Sequence, residues 1–311
     1  DMECGVGVVY RVGMEIGANR ASLCMADAQG TILCRRVFGA ASVGNAERFV
    51  DTLCDHLEDL LLKRGLTPVD VTHIGIGVTG MVDASLRTVE SAPLVFGESS
   101  LPLAAMVESR LGVMPTVMRD VWAAAAAELR FTETAAREAA LCVTLGRGVG
   151  AALLRGGKTL SGGASEAETA ALSAFEQNAA DVFGSMALAQ NARERFKGRS
   201  LPEKFSARDL FTMAEQNDQQ AAHLLGEATD ALADAMTALM EACGVNVAVI
   251  SGVNSAYQSA LIEPLDAMVR RHSHGRFAGA VTPTVRQAVF AADSVMVGAA
   301  FLTSEMIVFP A

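Results

Sequence analysis

The sequence predicts a two-lobed α/β protein, and three observations carry that prediction. Segments with strand patterning alternate with segments of helical spacing along nearly the whole chain. The 311 residues exceed the usual domain size of roughly 100 to 200 residues, so two domains are expected. A glycine-punctuated pair of apolar strands near the start is repeated about half a chain further on.

The elements follow in order. Residues 8–16 and 21–26 read as two strands, and "TILCRRVFG" makes a third after the turn at Ala28, Gln29 and Gly30. Together they form a meander. Residues 45–64 place Phe49, Val50, Leu53, Leu57, Leu60 and Leu61 at helical spacing with charges between them. "THIGIGVTGMVD" is a β-branched strand entering a glycine turn, "LPLAAMVESRLG" a helix stopped by Gly112, and "PTVMRDV" a short strand. "WAAAAAELRF" consists of strong helix formers. "AALCVTLGRGVGAALLRGGKTL" then returns to two apolar strands joined by glycines. From Glu166 the chain turns helical, most clearly in "SARDLFTMAEQ" and "DQQAAHLLGEATDALADAMTALMEACG". "VNVAVISGVNSAY" is a buried strand into a turn, and "ADSVMVGAAFLTSE" a closing helix. With no low-complexity linker between the lobes, a hinge near Asp120 is expected in place of a flexible tether.

Composition narrows the function classes. Half the residues are hydrophobic and about a fifth are charged, which suits a compact core and not a disordered chain. The net charge is −10, and the densest basic stretch is "VRRHSHGR". Nucleic-acid binding by this chain itself is therefore not expected, because phosphate neutralisation supplies most of that affinity. The six cysteines (Cys4, Cys24, Cys34, Cys54, Cys142 and Cys243) include no close pair. They read as small buried hydrophobes in a reducing cytoplasm, not as metal ligands or a disulfide framework. No apolar run approaches the ~20 residues of a membrane span, and no signal-peptide shape opens the chain. A cytoplasmic protein without membrane partners is expected. The first residue is Asp and not Met, which suggests that something has been removed upstream.

The order of "MEIGANRASLCMADAQG", "IGIGVTGMVD", "VESAP", "VMRDVWAAAAAE", "VTLGRGVGAALLRGGKTLSGG", "VAVISGVNS" and "ADSVMVGAA" resembles the ROK family of bacterial sugar kinases and sugar-responsive NagC/XylR-type transcriptional regulators. The resemblance spans nearly the whole chain. It implies the two-lobed actin/hexokinase-like ATPase (ribonuclease H-like) fold. The lobes would be residues 1–120, with 291–311 packing back on them, and 121–290, carrying dimerisation helices.

The motifs imply particular residues. In this fold a hairpin in each lobe turns backbone N–H groups toward nucleotide phosphates. The second turn, "TLGRGVG", places Gly146, Gly148 and Gly150 there, with Arg147 where a small hydroxyl residue is usual. Arg147 either adds phosphate affinity or obstructs the pocket. The family's first turn is an aspartate, two glycines and a threonine, and the matching positions here are Glu15, Gly17, Ala18 and Asn19. Glu15 keeps a carboxylate for Mg²⁺, displaced by one methylene. Asp120 matches the family's general base, which takes a proton from the attacking sugar hydroxyl. The same position also suits a helix N-cap. The family asparagine before it, a sugar ligand, is Arg119 here.

The sugar side departs furthest. Gly80 and Ala92 match sugar-site segments, but Leu94 replaces the asparagine after "SAP". The Glu-x-Gly-His motif leaves only Glu166 and Glu168, with Leu172 near the histidine position. The family's cysteine-rich zinc loop is missing, since no cysteine lies between Leu172 and Met186, so zinc is not expected. Of the adenosine turn's glycine run, Gly252 remains.

Three readings stand. The first is a regulator's effector-binding domain without catalysis, sensing a sugar or sugar derivative in the interdomain cleft. It would act as a homodimer and reach DNA only through an upstream helix-turn-helix. The second is an atypical Mg·ATP-dependent sugar kinase of the glucokinase or N-acetylhexosamine kinase type. The third is a pseudokinase scaffold.

Overall fold

A computed structural model describes residues 9–18, 20–39, 45–132, 139–163, 165–252, 257–274, 276–277 and 281–309. The chain forms two compact units, Asp1–Phe131 with Val295–Met306, and Thr132–Ser294 with Ile307–Ala311.

The first unit is built on a five-stranded sheet. The meander is β1 (Arg11–Ile16), β2 (Arg20–Ala26) and β3 (Ile32–Gly39), followed by β4 (His73–Val78) and, past the short hairpin of β5 (Met81–Val82) and β6 (Val89–Ser91), by β7 (Thr116–Arg119). The sheet order is β3-β2-β1-β4-β7. β2 runs antiparallel to β1, whereas β4 and β7 run parallel to it. The helix α1 (Ala46–Leu62) starts where the Asn45 side chain accepts the Arg48 N–H, and it buries Phe49, Val50, Leu53, Leu57, Leu60 and Leu61. Each such side chain contributes roughly 1.5–3 kcal/mol when withdrawn from water. α2 (Leu103–Leu111) stops at Gly112 in the left-handed conformation.

Close backbone packing orders the rest of this unit. Gly13 of β1 and Gly75 of β4 are register partners. A Cβ at Gly13 would fall 1.8 Å from the Met296 carbonyl oxygen, and one at Gly75 would fall 1.9 Å from that of Ala299. The closing helix α9 (Ser294–Phe301) therefore rests backbone to backbone on the sheet. Its Gly298 meets the Ala123 carbonyl of α3 (Asp120–Phe131) in the same way. The run of alanines in α3 is buried, and the helix packs on β4. For this reason the units divide after Phe131, and the helix after Asp120 belongs to the first of them.

The second unit repeats the plan. β8 (Ala139–Leu145), β9 (Val149–Arg155) and β10 (Lys158–Leu160) form a meander, with β11 (Val247–Ser251) and β12 (Thr284–Gln287) parallel beyond β8. The order is β12-β11-β8-β9-β10-β13, closed by β13 (Ile307–Val308). The C-terminal stretch is thus shared, α9 joining the first unit and β13 the second. Between β10 and β11 lie α4 (Glu166–Phe183), α5 (Ser185–Arg195), α6 (Ala207–Glu215) and α7 (Gln219–Ala242), and α8 (Glu263–His272) precedes β12. Their apolar faces, with Phe175, Phe183, Phe211, Leu224, Leu232 and Met236, cover the sheet. Among the described residues, no helix is long and apolar enough to cross a membrane.

Candidate functional site

In the first unit the carboxyl ends of β1, β4 and β7 meet on one sheet edge, with Ile16 beside Val78 and Val78 beside Arg119. Open α/β sheets gather ligands at such an edge. Asp120 follows β7 there and opens α3. Its Oδ1 accepts the Val121 N–H at 2.8 Å, and its Oδ2 accepts the Thr79 hydroxyl at 2.7 Å. Burial raises the Asp120 carboxyl above the ordinary carboxylate range, against the Thr79 hydrogen bond and the Arg119 charge, which lower it. Both expectations for this residue, cap and functional carboxylate, are compatible with this geometry.

Thr79 is a residue that the sequence reading passes over. Its usable signal is position, a hydroxyl just past a buried parallel strand. Arg119 is half-buried, with its guanidinium carbon 5.8 Å from the centre of the Trp122 ring, while the indole itself is 3% exposed. Gly80 packs against the Ser91 carbonyl. Ala92 is fully buried, and its carbonyl accepts the N–H groups of Val95, Phe96 and Gly97.

Glu15 lies on the same edge but is engaged inside its own hairpin. It faces Ser22 across the β1–β2 register, accepts the Ser22 hydroxyl at 3.0 Å, and lies 3.6 Å from the Arg20 guanidinium. Gly17 donates its N–H to the Arg20 carbonyl at 3.0 Å and closes the turn. Asn19 lies outside the described residues. Mg²⁺ requires near-octahedral oxygen ligation, and the Ser22 and Arg20 contacts of Glu15 both fall on its Oε2. Among the described residues, no group of three or more His, Cys, Asp or Glu side chains is arranged to hold a metal ion.

In the second unit the equivalent edge carries the β8–β9 turn. The Gly146 N–H donates to the Gly148 carbonyl at 3.0 Å, and the Gly146 carbonyl accepts both the N–H and the hydroxyl of Ser185, at 3.0 and 2.7 Å. Arg147 places Nε 2.8 Å from the Met186 sulfur. Gly150 pairs with Thr144 inside the hairpin. Gly252 follows β11 at φ +92°, and a Cβ there would lie 2.5 Å from the Leu145 carbonyl oxygen. Glycine at this position is thus required by packing on β8, whatever its part in ligand binding.

The two glutamates at the start of α4 separate in role. Glu166 is exposed. Glu168 lies 3.1 Å from Arg155, whose other contact is the Cys243 carbonyl at 2.7 Å. Glu168 therefore belongs to a brace linking α4, β9 and the end of α7. Leu172, near the motif's histidine position, is buried in the core.

A two-unit fold with this repeated sheet plan and a carboxylate at the sheet edge defines a sugar-kinase-like protein. The chain matches the ROK family over residues 11–306 and belongs to it. A glucokinase of Streptomyces coelicolor (strain A3(2)) is 28% identical over 151 residues, covering 49% of this chain and 45% of that protein. The chain thus spans about half the length of this curated relative. Among solved structures, a ROK family glucokinase from Streptomyces griseus in complex with glucose and AMPPNP superposes with a TM-score of 0.78 at 24% identity, covering 95% of this chain and 99% of that one. A ROK family transcriptional regulator, a homolog of the E. coli MLC protein, superposes with a TM-score of 0.73 at 17% identity, covering 95% of this chain and 77% of that one. The fold is accordingly the actin/hexokinase-like one, shared by kinases and a regulator.

Proposed function

We propose that this chain is the effector-binding part of a ROK transcriptional regulator, which binds a sugar or sugar derivative without transferring phosphate. The observation that carries this reading is the state of Glu15. The carboxylate that a kinase of this family would direct toward the metal–nucleotide complex is tied to Ser22 and Arg20 within its own hairpin. The Asp120 carboxylate, by contrast, keeps its place at the carboxyl edge of the first sheet, fixed by Thr79 and Val121. A binding site without a phosphate-transfer partner suits a sensor. Assembly as a homodimer and DNA contact through an upstream reader belong to the same proposal. Ligand binding would then bias one of two conformations of the assembly, a shift that takes only a few kcal/mol of differential affinity.

One observation favours the alternative of an atypical ATP-dependent sugar kinase: the burial of Asp120, which raises its proton affinity as a general base requires. The two readings separate in a thermal-shift and turnover experiment on the purified chain. A ligand at about 100 times its Kd adds ~2.7 kcal/mol to the folded state. The sensor reading expects a rise in Tm with a hexose or hexose derivative, the same rise with Mg·ATP present, and no ADP formation. ADP released in step with sugar phosphate, and abolished by Asp120→Asn, sinks it in favour of the kinase.

A further inference from the structure

Thr79 stands immediately past β4 and is engaged through both its backbone and its side chain. Its N–H donates to the Ile16 carbonyl at the end of β1, at 3.1 Å, and its hydroxyl donates to Asp120 Oδ2 at 2.7 Å. One residue thus joins the ends of three elements, β1, β4 and α3. Gly77 on β4 makes that join short. A Cβ there would fall 2.7 Å from the Val295 side chain of α9 and 3.6 Å from the Asp120 Cα, so a larger residue would force the start of α3 away from Thr79.

The two hydrogen bonds on Asp120 differ in what they fix. The Val121 N–H comes from the next residue of the same helix and moves with it, so it does not locate the carboxylate relative to the sheet. The Thr79 hydroxyl comes from 41 residues away in the chain, on a backbone that is itself tied to β1. A hydroxyl this close to a carboxylate oxygen makes a charge-assisted bond, stronger than a neutral one. We infer that Thr79 is a positioning residue, which aims Asp120 by referring its carboxylate to the end of β1. With Thr79 on Oδ2 and Val121 on Oδ1, the further lone pairs of Asp120 keep a fixed direction in which to accept. Thr79 and Asp120 are both half-buried. The inference rests on the effector-binding reading only in taking Asp120 as the carboxylate that faces a ligand.

A donor on a carboxylate also favours its ionised form, which gives the test its readout. The other influences on Asp120 are its burial, the Arg119 charge on β7 and the Val121 N–H on α3. β4 adds Gly77 and α9 adds Val295, both uncharged. On β1, Glu15 is the register partner of Gly77 and is engaged by Ser22 and Arg20.

The test is denaturant unfolding of the full 311-residue chain from acid to alkaline pH. The stability linked to Asp120 declines with rising pH until the raised folded-state value is passed. Thr79→Val keeps the branched shape and removes a contact that lowers that value. The upper end of the decline should therefore move up by about one to two pH units, the worth of one hydrogen bond to a charged group. Thr79→Ser restores the donor and should restore the wild-type profile. In an Asp120→Asn background, Thr79→Val should change stability equally at every pH, as a loss of packing alone would. An end point that stays in place in Thr79→Val, or that moves as far in Thr79→Ser, overturns the inference. In the wild-type chain, the Asp120 carboxyl carbon and the Thr79 hydroxyl proton should titrate together by NMR, a measurement that needs no variant to fold. Independent titration of the two overturns the inference as well. Neither measurement uses a ligand or nucleotide, so either result is separate from the thermal-shift and turnover experiment that decides the effector-binding reading.

Discussion

The two hairpins at the head of each unit come from similar sequence and form similar antiparallel pairs, yet they are secured in opposite ways. The β1–β2 turn is closed from within: Glu15, Ser22, Arg20 and Gly17 bond to one another across a few residues of chain. The β8–β9 turn is held from outside, with Ser185 at the head of α5 bonded to the Gly146 carbonyl and Gly252 after β11 pressed on Leu145. A hairpin whose polar groups satisfy each other has fewer left for a ligand. A hairpin braced by distant elements transmits its position to them, because interiors are close-packed and shift in discrete steps. The comparison teaches that one sheet plan can be held by local bonds in one unit and by distant elements in the other.

The strongest way to break this comparison is to disturb the support beneath the first hairpin. Gly13→Ala drives a methyl into the Met296 carbonyl and should cost about 3 kcal/mol or more. Denaturant unfolding measures the loss, and hydrogen exchange should show β1 and α9 opening before β8 and β9. A variant within about 1 kcal/mol of wild type would mean that α9 is not seated on the sheet as described.

Gly252→Ala is the matching lesion in the second unit. It combines a left-handed backbone with a clash at Leu145, and roughly 2–3 kcal/mol is expected, with exchange rising first in β8 and β11. Equal deprotection of both units would contradict the separate support of the two hairpins. A smaller effect sharpens the contrast: Ser185→Ala removes the hydroxyl donor on Gly146 and should cost about 1 kcal/mol. Its exchange signature should extend into α5, whereas Ser22→Ala, which frees one bond to Glu15, should stay within β1 and β2.

The gentlest probe is pH. Burial raises the folded-state affinity of Asp120 for its proton above that of the unfolded chain. The stability linked to this group is therefore complete below the ordinary carboxylate range and declines as pH rises through the raised value. Asp120→Asn should abolish that dependence, so its Tm relative to wild type should increase on going from acid to neutral pH. A constant Tm difference across that range would mean that Asp120 is not a desolvated carboxylate.

Much of the fold is legible in sequence because its signals are local. The helical spacing from Phe49 to Leu61 and the Gly112 stop each act within a turn or two of chain, and each takes its expected place. Asp120 is legible as a strand-end carboxylate opening a helix for the same reason. Thr79 is not, because its partner lies 41 residues away. Nor is the role of Glu168, which depends on Arg155 and on the Cys243 carbonyl from the end of α7. The helix of α3 is readable from its alanines, but its membership of the first unit depends on Gly298 and on contact with β4.

What the sequence by itself determined is the succession of elements, the repeat of one sheet plan and the family, since patterning, caps and turn chemistry act over short distances and motif order survives changes at individual positions. What only the tertiary structure decided is which polar groups are already satisfied. Glu15 and Glu168 are both carboxylates at motif positions, and the difference between a ligand and a brace lies in whether Arg20 and Arg155 fold within reach. Electrostatic and hydrogen-bond partners are set by distances of a few ångströms across strands and helices, a range over which spacing along the chain carries no information.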